Sequence, residues 1–70
     1  MKKIIWTSNI KEIALFFQMI GNFNNIQYFI TKMEYWDKYT IKTSFDKRVM
    51  YFSTIEEAQK WCQEDINKLN

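Results

Sequence analysis

Four times in this chain two aromatic residues stand side by side: Phe16-Phe17, Tyr28-Phe29, Tyr35-Trp36 and Tyr51-Phe52. Adjacent side chains of a β-strand point to opposite faces. A strand that carries such a pair buries one ring in a core and presents the other to something outside it. On a helix the two rings are about 100° apart, and both can reach one core. The doublets therefore separate a helical chain that hides its rings from a sheet with a sticky outer face.

Length sharpens the choice. Residues 1–70 make a single domain. So short a chain buries only roughly 60% of its unfolded surface, and small domains usually add a staple. Cys62 is the only cysteine, which excludes a disulfide framework, and with no histidine and no second thiol a structural zinc site has no ligand set. No cofactor or metal is expected. What remains is large apolar side chains, here six Phe, four Tyr and three Trp, or self-association in a homodimer that buries the outer rings.

A lone cysteine suits a reducing compartment. The opening Met1-Lys2-Lys3-Ile4-Ile5-Trp6 mimics a signal peptide, but Thr7-Ser8-Asn9 breaks the apolar run and no small-residue cleavage site follows. The longest apolar stretch, Ile13 to Phe17, is far short of a membrane span. The expectation is a cytoplasmic protein with no membrane partner. Residues 1–53 carry eight Lys/Arg against four Asp/Glu, and residues 54–70 two against four, so a mildly basic body ends in an acidic segment. Lys, Asn, Ile, Phe and Tyr abound and Pro is absent, the bias of an AT-rich gene, which lowers the weight of any Lys or Phe count.

The C-terminal segment reads most clearly. Ser53-Thr54-Ile55-Glu56 has the form of a capping box with Ser53 as N-cap, and Ile55, Ala58, Cys62, Ile66 and Leu69 recur at helical spacing. A helix over 54–68 follows. Before it, Val49 to Phe52 is a short β-prone run. Tyr39 to Phe45 alternates, with Tyr39, Ile41 and Phe45 on one face, and Ile26 to Met33 is also strand-like. Glu34 to Lys38 connects two of these strands and Asp46-Lys47 marks a hairpin. Residues 9–21 satisfy two periods. Ile10, Ile13, Ala14, Phe17 and Ile20 have helical spacing, with a capping signal at Asn9-x-x-Glu12 and a stop at Gly21. Ile13, Leu15, Phe17 and Met19 alternate as a strand. The capping signals favour a helix near residues 10–20, followed by a loop from Gly21 to Asn25. Residues 3–7 could add an edge strand. The fold class is α+β: a three- or four-stranded antiparallel sheet, the C-terminal helix packed on one face, and an additional helix near the N-terminus.

Catalytic chemistry is hard to assemble from this chain. Without histidine the commonest general base is missing. Ser8, Ser44 and Ser53 have no adjacent base, Cys62 falls on the apolar stripe of the helix, and Glu56-Glu57 suit the positive end of the helix dipole. Gly21 is the only glycine, so there is no phosphate-binding loop. The protein is expected not to be an enzyme and to have no catalytic residues.

The strand faces carry the functional reading. With Ile26, Tyr28 and Ile30 inward, Gln27, Phe29 and Thr31 face outward; with Tyr39 and Ile41 inward, Lys38, Thr40, Lys42 and Ser44 do. Tyr51 or Phe52 joins them. Such a face serves a protein partner through aromatic anchors with a polar rim, serves nucleic acid through stacking rings and cations, or is an ordinary solvated face. The expected contact surface for a protein partner is Phe29, Tyr35, Trp36, Lys42 and Tyr51, with Tyr35-Trp36 singled out because a connection gives two rings little core to share. The alternative is a small nucleic-acid-binding module using Lys38, Lys42, Lys47 and Arg48. A net charge of +2 with one arginine favours the protein partner.

Two resemblances bear on this. The order helix–strand–strand–strand–helix resembles double-stranded RNA-binding domains in topology, but where those carry a lysine cluster this chain has Thr54-Ile55-Glu56-Glu57-Ala58-Gln59, so their activity is not carried over. The run Tyr51-Phe52-Ser53-Thr54-Ile55-Glu56-Glu57-Ala58-Gln59-Lys60-Trp61-Cys62-Gln63-Glu64-Asp65 resembles the end of many small phage and prophage proteins, in which a curved antiparallel sheet enters a Ser-x-x-Glu-Ala helix. Tyr28-Phe29-Ile30 and Tyr39-Thr40-Ile41 fit the same strand pattern, so the resemblance spans residues 26–66. It implies a mobile-element origin, host cytoplasm as location, and stoichiometric inhibition of a host defence complex of the kind anti-CRISPR proteins perform.

Overall fold

The computed structural model describes residues 2–11 and 16–69. Five strands and one helix follow one another: β1 (Ile5–Lys11), β2 (Phe16–Phe23), β3 (Ile26–Met33), β4 (Tyr39–Thr43), β5 (Val49–Phe52) and α1 (Ile55–Lys68). The strands form one antiparallel meander in sequence order. The class is α+β, with five strands in place of three or four.

The helix expected near residues 10–20 is not found. Its described residues lie in β1 and β2, and residues 12–15, with Glu12 of the Asn9-x-x-Glu12 signal, lie outside the described residues. The order that resembled double-stranded RNA-binding domains goes with it. Pairing along the sheet outweighs the local helical spacing: β2 aligns with β1 from Phe16 to Asn22 and with β3 along its whole length. Gly21 is no helix stop. It pairs with Trp6 across the ladder, and a Cβ there would stand 2.6 Å from Cγ2 of Ile4 and 2.7 Å from Cζ3 of Trp6. Only hydrogen leaves room for the indole to lie across the strand. The predicted loop from Gly21 to Asn25 shrinks to Asn24-Asn25, with Asn24 in the left-handed region at φ 54°, which asparagine adopts more readily than most residues.

The edge strand expected over 3–7 is met only from Ile5 to Thr7, since β1 runs from Ile5 to Lys11, and the Glu34–Lys38 connection falls between β3 and β4 as expected. The β4–β5 connection is wider than a tight hairpin at Asp46-Lys47 and runs from Ser44 to Arg48. Asp46 organises it by accepting the Arg48 N–H at 3.1 Å and the Thr43 hydroxyl. At the start of α1 the N-cap is Thr54, one residue later than expected. Its Oγ1 accepts the Glu57 N–H at 3.1 Å and donates to the Glu57 carboxylate at 3.0 Å. The N-cap half of a capping box is kept, with Glu57 in the place assigned to Glu56, while the Glu57 carboxylate takes the Thr54 hydroxyl and not the Thr54 N–H.

One face of the sheet and one stripe of α1 form the core: Ile4, Tyr28, Ile30, Ile41, Ala58, Cys62 and Ile66 are buried. Trp6, Phe17, Met19, Tyr39, Met50, Phe52 and Trp61 pack around them. Aromatic edges make much of this contact, with Tyr28 T-shaped to Trp61 at 6.4 Å and Phe17 T-shaped to Tyr39 at 5.9 Å between ring centroids. Such pairs add about 0.5–1.5 kcal/mol beyond the area they bury.

Candidate partner-binding sheet face

Alternation along each strand sends the other half of the residues away from α1. One row of side chains crosses all five strands as Thr7, Ile20, Phe29, Lys42 and Val49; the next crosses β2 to β5 as Gln18, Thr31, Thr40 and Tyr51. Among the described residues no helix or strand covers these rows. Ile5, on the same face of β1, is 58% exposed, Tyr51 62% and Val49 40%.

The β3–β4 connection gives this face relief. The Trp36 N–H donates to the Met33 carbonyl at 3.1 Å, a turn that folds the indole back over the sheet. Trp36 then bounds two adjoining depressions. An open groove of about 620 Å³ is lined by Trp36, Asp37, Lys38, Thr40, Lys42, Val49 and Tyr51. A second hollow of about 260 Å³ adds Gln18, Phe29 and Thr31 to Trp36, Thr40 and Lys42. The surface therefore sets Trp36, Tyr51, Val49 and Phe29 around Thr31, Thr40 and Lys42, with Lys42 standing between Phe29 and Val49 in its row.

Of the expected contact residues, Phe29, Trp36, Lys42 and Tyr51 come together here. Tyr35 does not line either depression; it is 78% exposed, with its ring edge-on to Trp36 at 6.4 Å. Of the alternative cationic set, Lys38 and Lys42 lie in the groove. Lys47 is exposed on the β4–β5 connection. Arg48 belongs to the other side of the molecule, where it forks Asp65 at 2.9 and 3.0 Å, pairs with Asp46, and lies over the rings of Trp61 and Phe45. Val49, Ile20 and Gln18 were not singled out from sequence. The register across β2 to β5 is what adds them, and their alternation within each strand was the available signal.

Electrostatics separate the two sides. Among the described residues the only ion pairs are those of Arg48 with Asp46 and Asp65, so none of their carboxylates lies within 4 Å of the Lys38 or Lys42 ammonium. Burial pushes the Asp65 carboxyl up, but the hydrogen bonds from Arg48 and from the Tyr28 hydroxyl outweigh it and hold Asp65 below the usual carboxylate range. The same arrangement raises the Tyr28 phenol, through burial first and the bond to Asp65 second. Burial, with Asp65 adding, pushes the Cys62 thiol up to about 12. A thiol so placed is a packing element rather than a nucleophile. No group of three metal-ligating side chains occurs among the described residues, and no helix among them is long and apolar enough to cross a membrane.

Fold and face together define a small α+β protein: an antiparallel five-stranded meander backed by one C-terminal helix, with its second sheet face uncovered among the described residues. Comparison with protein-family models, curated proteins and solved structures finds no match.

Proposed function

We propose that the protein is a non-catalytic binding domain that docks the outer face of its sheet onto a larger protein. The observation that carries this reading is the convergence of Trp36, Tyr51, Val49 and Phe29 around two adjoining depressions on a face with no covering element among the described residues. Exposed aromatic side chains gathered around shallow depressions are the usual anchors of protein interfaces. That the partner is a host defence complex, inhibited stoichiometrically by a phage or mobile-element protein, rests on the resemblance of residues 26–66 to small phage and prophage proteins alone.

One observation favours a second reading. Lys38 and Lys42 flank Trp36 and Tyr51, the combination of cations and rings that single-stranded nucleic acid uses. Asp37 lines the same groove, and Arg48 is committed to two carboxylates elsewhere, so the cationic set is smaller than the sequence promised. The two readings separate in one experiment. Immobilised wild type and Trp36→Ala are used to capture proteins from a lysate of the source cell's host, and wild type is titrated with oligonucleotides at low salt. A protein retained by wild type and lost by Trp36→Ala supports the docking face. Equal retention by both, or oligonucleotide binding that weakens steeply with salt, overturns it.

A further inference from the structure

We infer that residues 2–4 form a releasable strap. They fasten the start of β1 to the last turn of α1, and their release lets β1 leave the sheet as a unit while β2 to β5 and α1 stay folded. This goes beyond the docking proposal and does not depend on it.

The strap is built from three contacts. The Lys2 ammonium donates to the Ile66 carbonyl at 3.3 Å and to the Leu69 carbonyl. α1 ends there, with Leu69 as C-cap in an extended conformation at φ −83° and ψ 141°. A helix leaves its last carbonyls without partners in its own backbone, and a cation at that end suits the helix dipole. Lys2 meets both needs from outside the helix. In return the Gln63 side-chain amide donates to the Lys2 carbonyl at 2.7 Å. Two residues on, Ile4 is buried in the same core cluster as Ile66, and its Cγ2 lies against Gly21, where no side chain stands in its way. Lys3, between these two anchors, is exposed.

Beyond the strap, β1 has little to hold it. It is an edge strand with β2 as its one neighbour in the sheet. Among the described residues α1 packs against β3, β4 and β5, and β1 lies outside its reach. Of the described side chains of β1, Trp6 packs against the core, while Ile5, Thr7 and Ser8 are exposed. Segments with few buried apolar contacts are the ones that open locally, at a cost below that of global unfolding.

β2 is held differently. It pairs with β3 along its whole length, and the Gln59 side-chain amide on α1 donates to Met19 Sδ at 3.0 Å. Once Lys2 and Ile4 let go, the β1–β2 ladder parts without disturbing the β2–β3 ladder. β2 then becomes the edge of the sheet, and the N–H and C=O groups that faced β1 are free to pair with another extended segment. The strap thus decides which strand the sheet presents at that edge.

Native-state hydrogen exchange under increasing urea tests this. In wild type the β1 amides that pair with β2 are expected to exchange through an opening with a smaller urea dependence than the amides of β3 and β4, because that opening exposes less surface. Lys2→Met is expected to speed exchange in β1 about tenfold, the effect of losing one hydrogen bond to a charged group. Lys2→Arg keeps the cation and its donors and is expected to restore most of the protection. Equal urea dependence for β1 and β3 amides in wild type would mean that the sheet opens only as a whole, and overturns the inference. Exchange in β1 unchanged by Lys2→Met also overturns it.

Discussion

Arg48 holds Asp65 with both ends of its guanidinium, at 2.9 and 3.0 Å, while the Tyr28 hydroxyl donates to the same carboxylate at 2.8 Å. One bidentate contact thus joins the β4–β5 connection, the centre of β3 and the last turns of α1. The guanidinium plane also covers Trp61 and Phe45, so charge and packing act through one side chain. The aromatic sheet face can stay open because the helix is fastened on the opposite side.

Arg48→Ala should therefore destabilise the protein more than an exposed arginine normally does. It removes two charge-assisted bonds from a carboxylate that is only 12% exposed and uncovers two rings. The expected loss is about 2 kcal/mol, read as a lower urea midpoint. Arg48→Lys should recover less than half of it, because an ammonium cannot fork a carboxylate. A midpoint unchanged in Arg48→Ala would contradict the role given to this contact.

Acid should unfold the protein partly through Asp65. Its folded-state carboxyl lies below the usual range, since the bonds from Arg48 and Tyr28 outweigh the effect of burial. The unfolded chain therefore binds a proton more readily, and stability rises with pH across that window. The contribution is complete above the ordinary aspartate value of roughly 3.9 and is lost as pH falls through the depressed folded value. Asp46, lowered chiefly by its bond from the Thr43 hydroxyl, acts in the same direction. Urea midpoints at pH 7 and pH 3 should differ less in Asp65→Asn than in wild type. An equal difference would remove Asp65 from the account.

Gly21→Ala tests the seating of Trp6. The added methyl meets Ile4 and the rigid indole at under 3 Å, and overpacking of this kind costs about 1–3 kcal/mol. In a Trp6→Ala background the same change should cost distinctly less, because one of the two obstructing groups is gone. Additive costs would place the strain elsewhere.

Cys62 should be silent in the folded protein. Fully buried and with its thiol pushed up to about 12, it should react with a disulfide reagent at pH 8 only as fast as the protein opens, and rapidly in denaturant. Fast stoichiometric labelling under native conditions would contradict its burial between α1 and the sheet.

How far these features were legible in the chain differs by element. The helix stripe of Ala58, Cys62 and Ile66 and the inward set of Tyr28, Ile30 and Ile41 were readable because each follows a single period. The cap moved from Ser53 to Thr54 because both residues offer the same hydroxyl and both Glu56 and Glu57 can answer it. Residues 9–21 misled because Phe17 and Ile20 fit a helical stripe, while the partners that make them a strand lie in β3, ten or so residues further on. Gly21 reads as a stop unless Trp6 is known to cross it. Phe29, Lys42 and Tyr51 could be placed on one outer face from alternation, and Trp36 beside them from its place in a connection, and the structure brings the four together. Arg48 was grouped with the lysines of the sheet face because nothing local ties it to Asp65, seventeen residues away.

The central claim is that the sheet face opposite α1, and not α1 itself, is the contact surface. The most direct measurement pairs two variants in the same capture experiment: Val49→Lys with Tyr51→Lys on the sheet face, and Lys60→Glu on the exposed side of the helix. All these positions are exposed, so both proteins should fold with near-native urea midpoints. The account predicts that the sheet-face variant loses the partner and the helix variant keeps it. Retention by the sheet-face variant, or loss confined to Lys60→Glu, would contradict it.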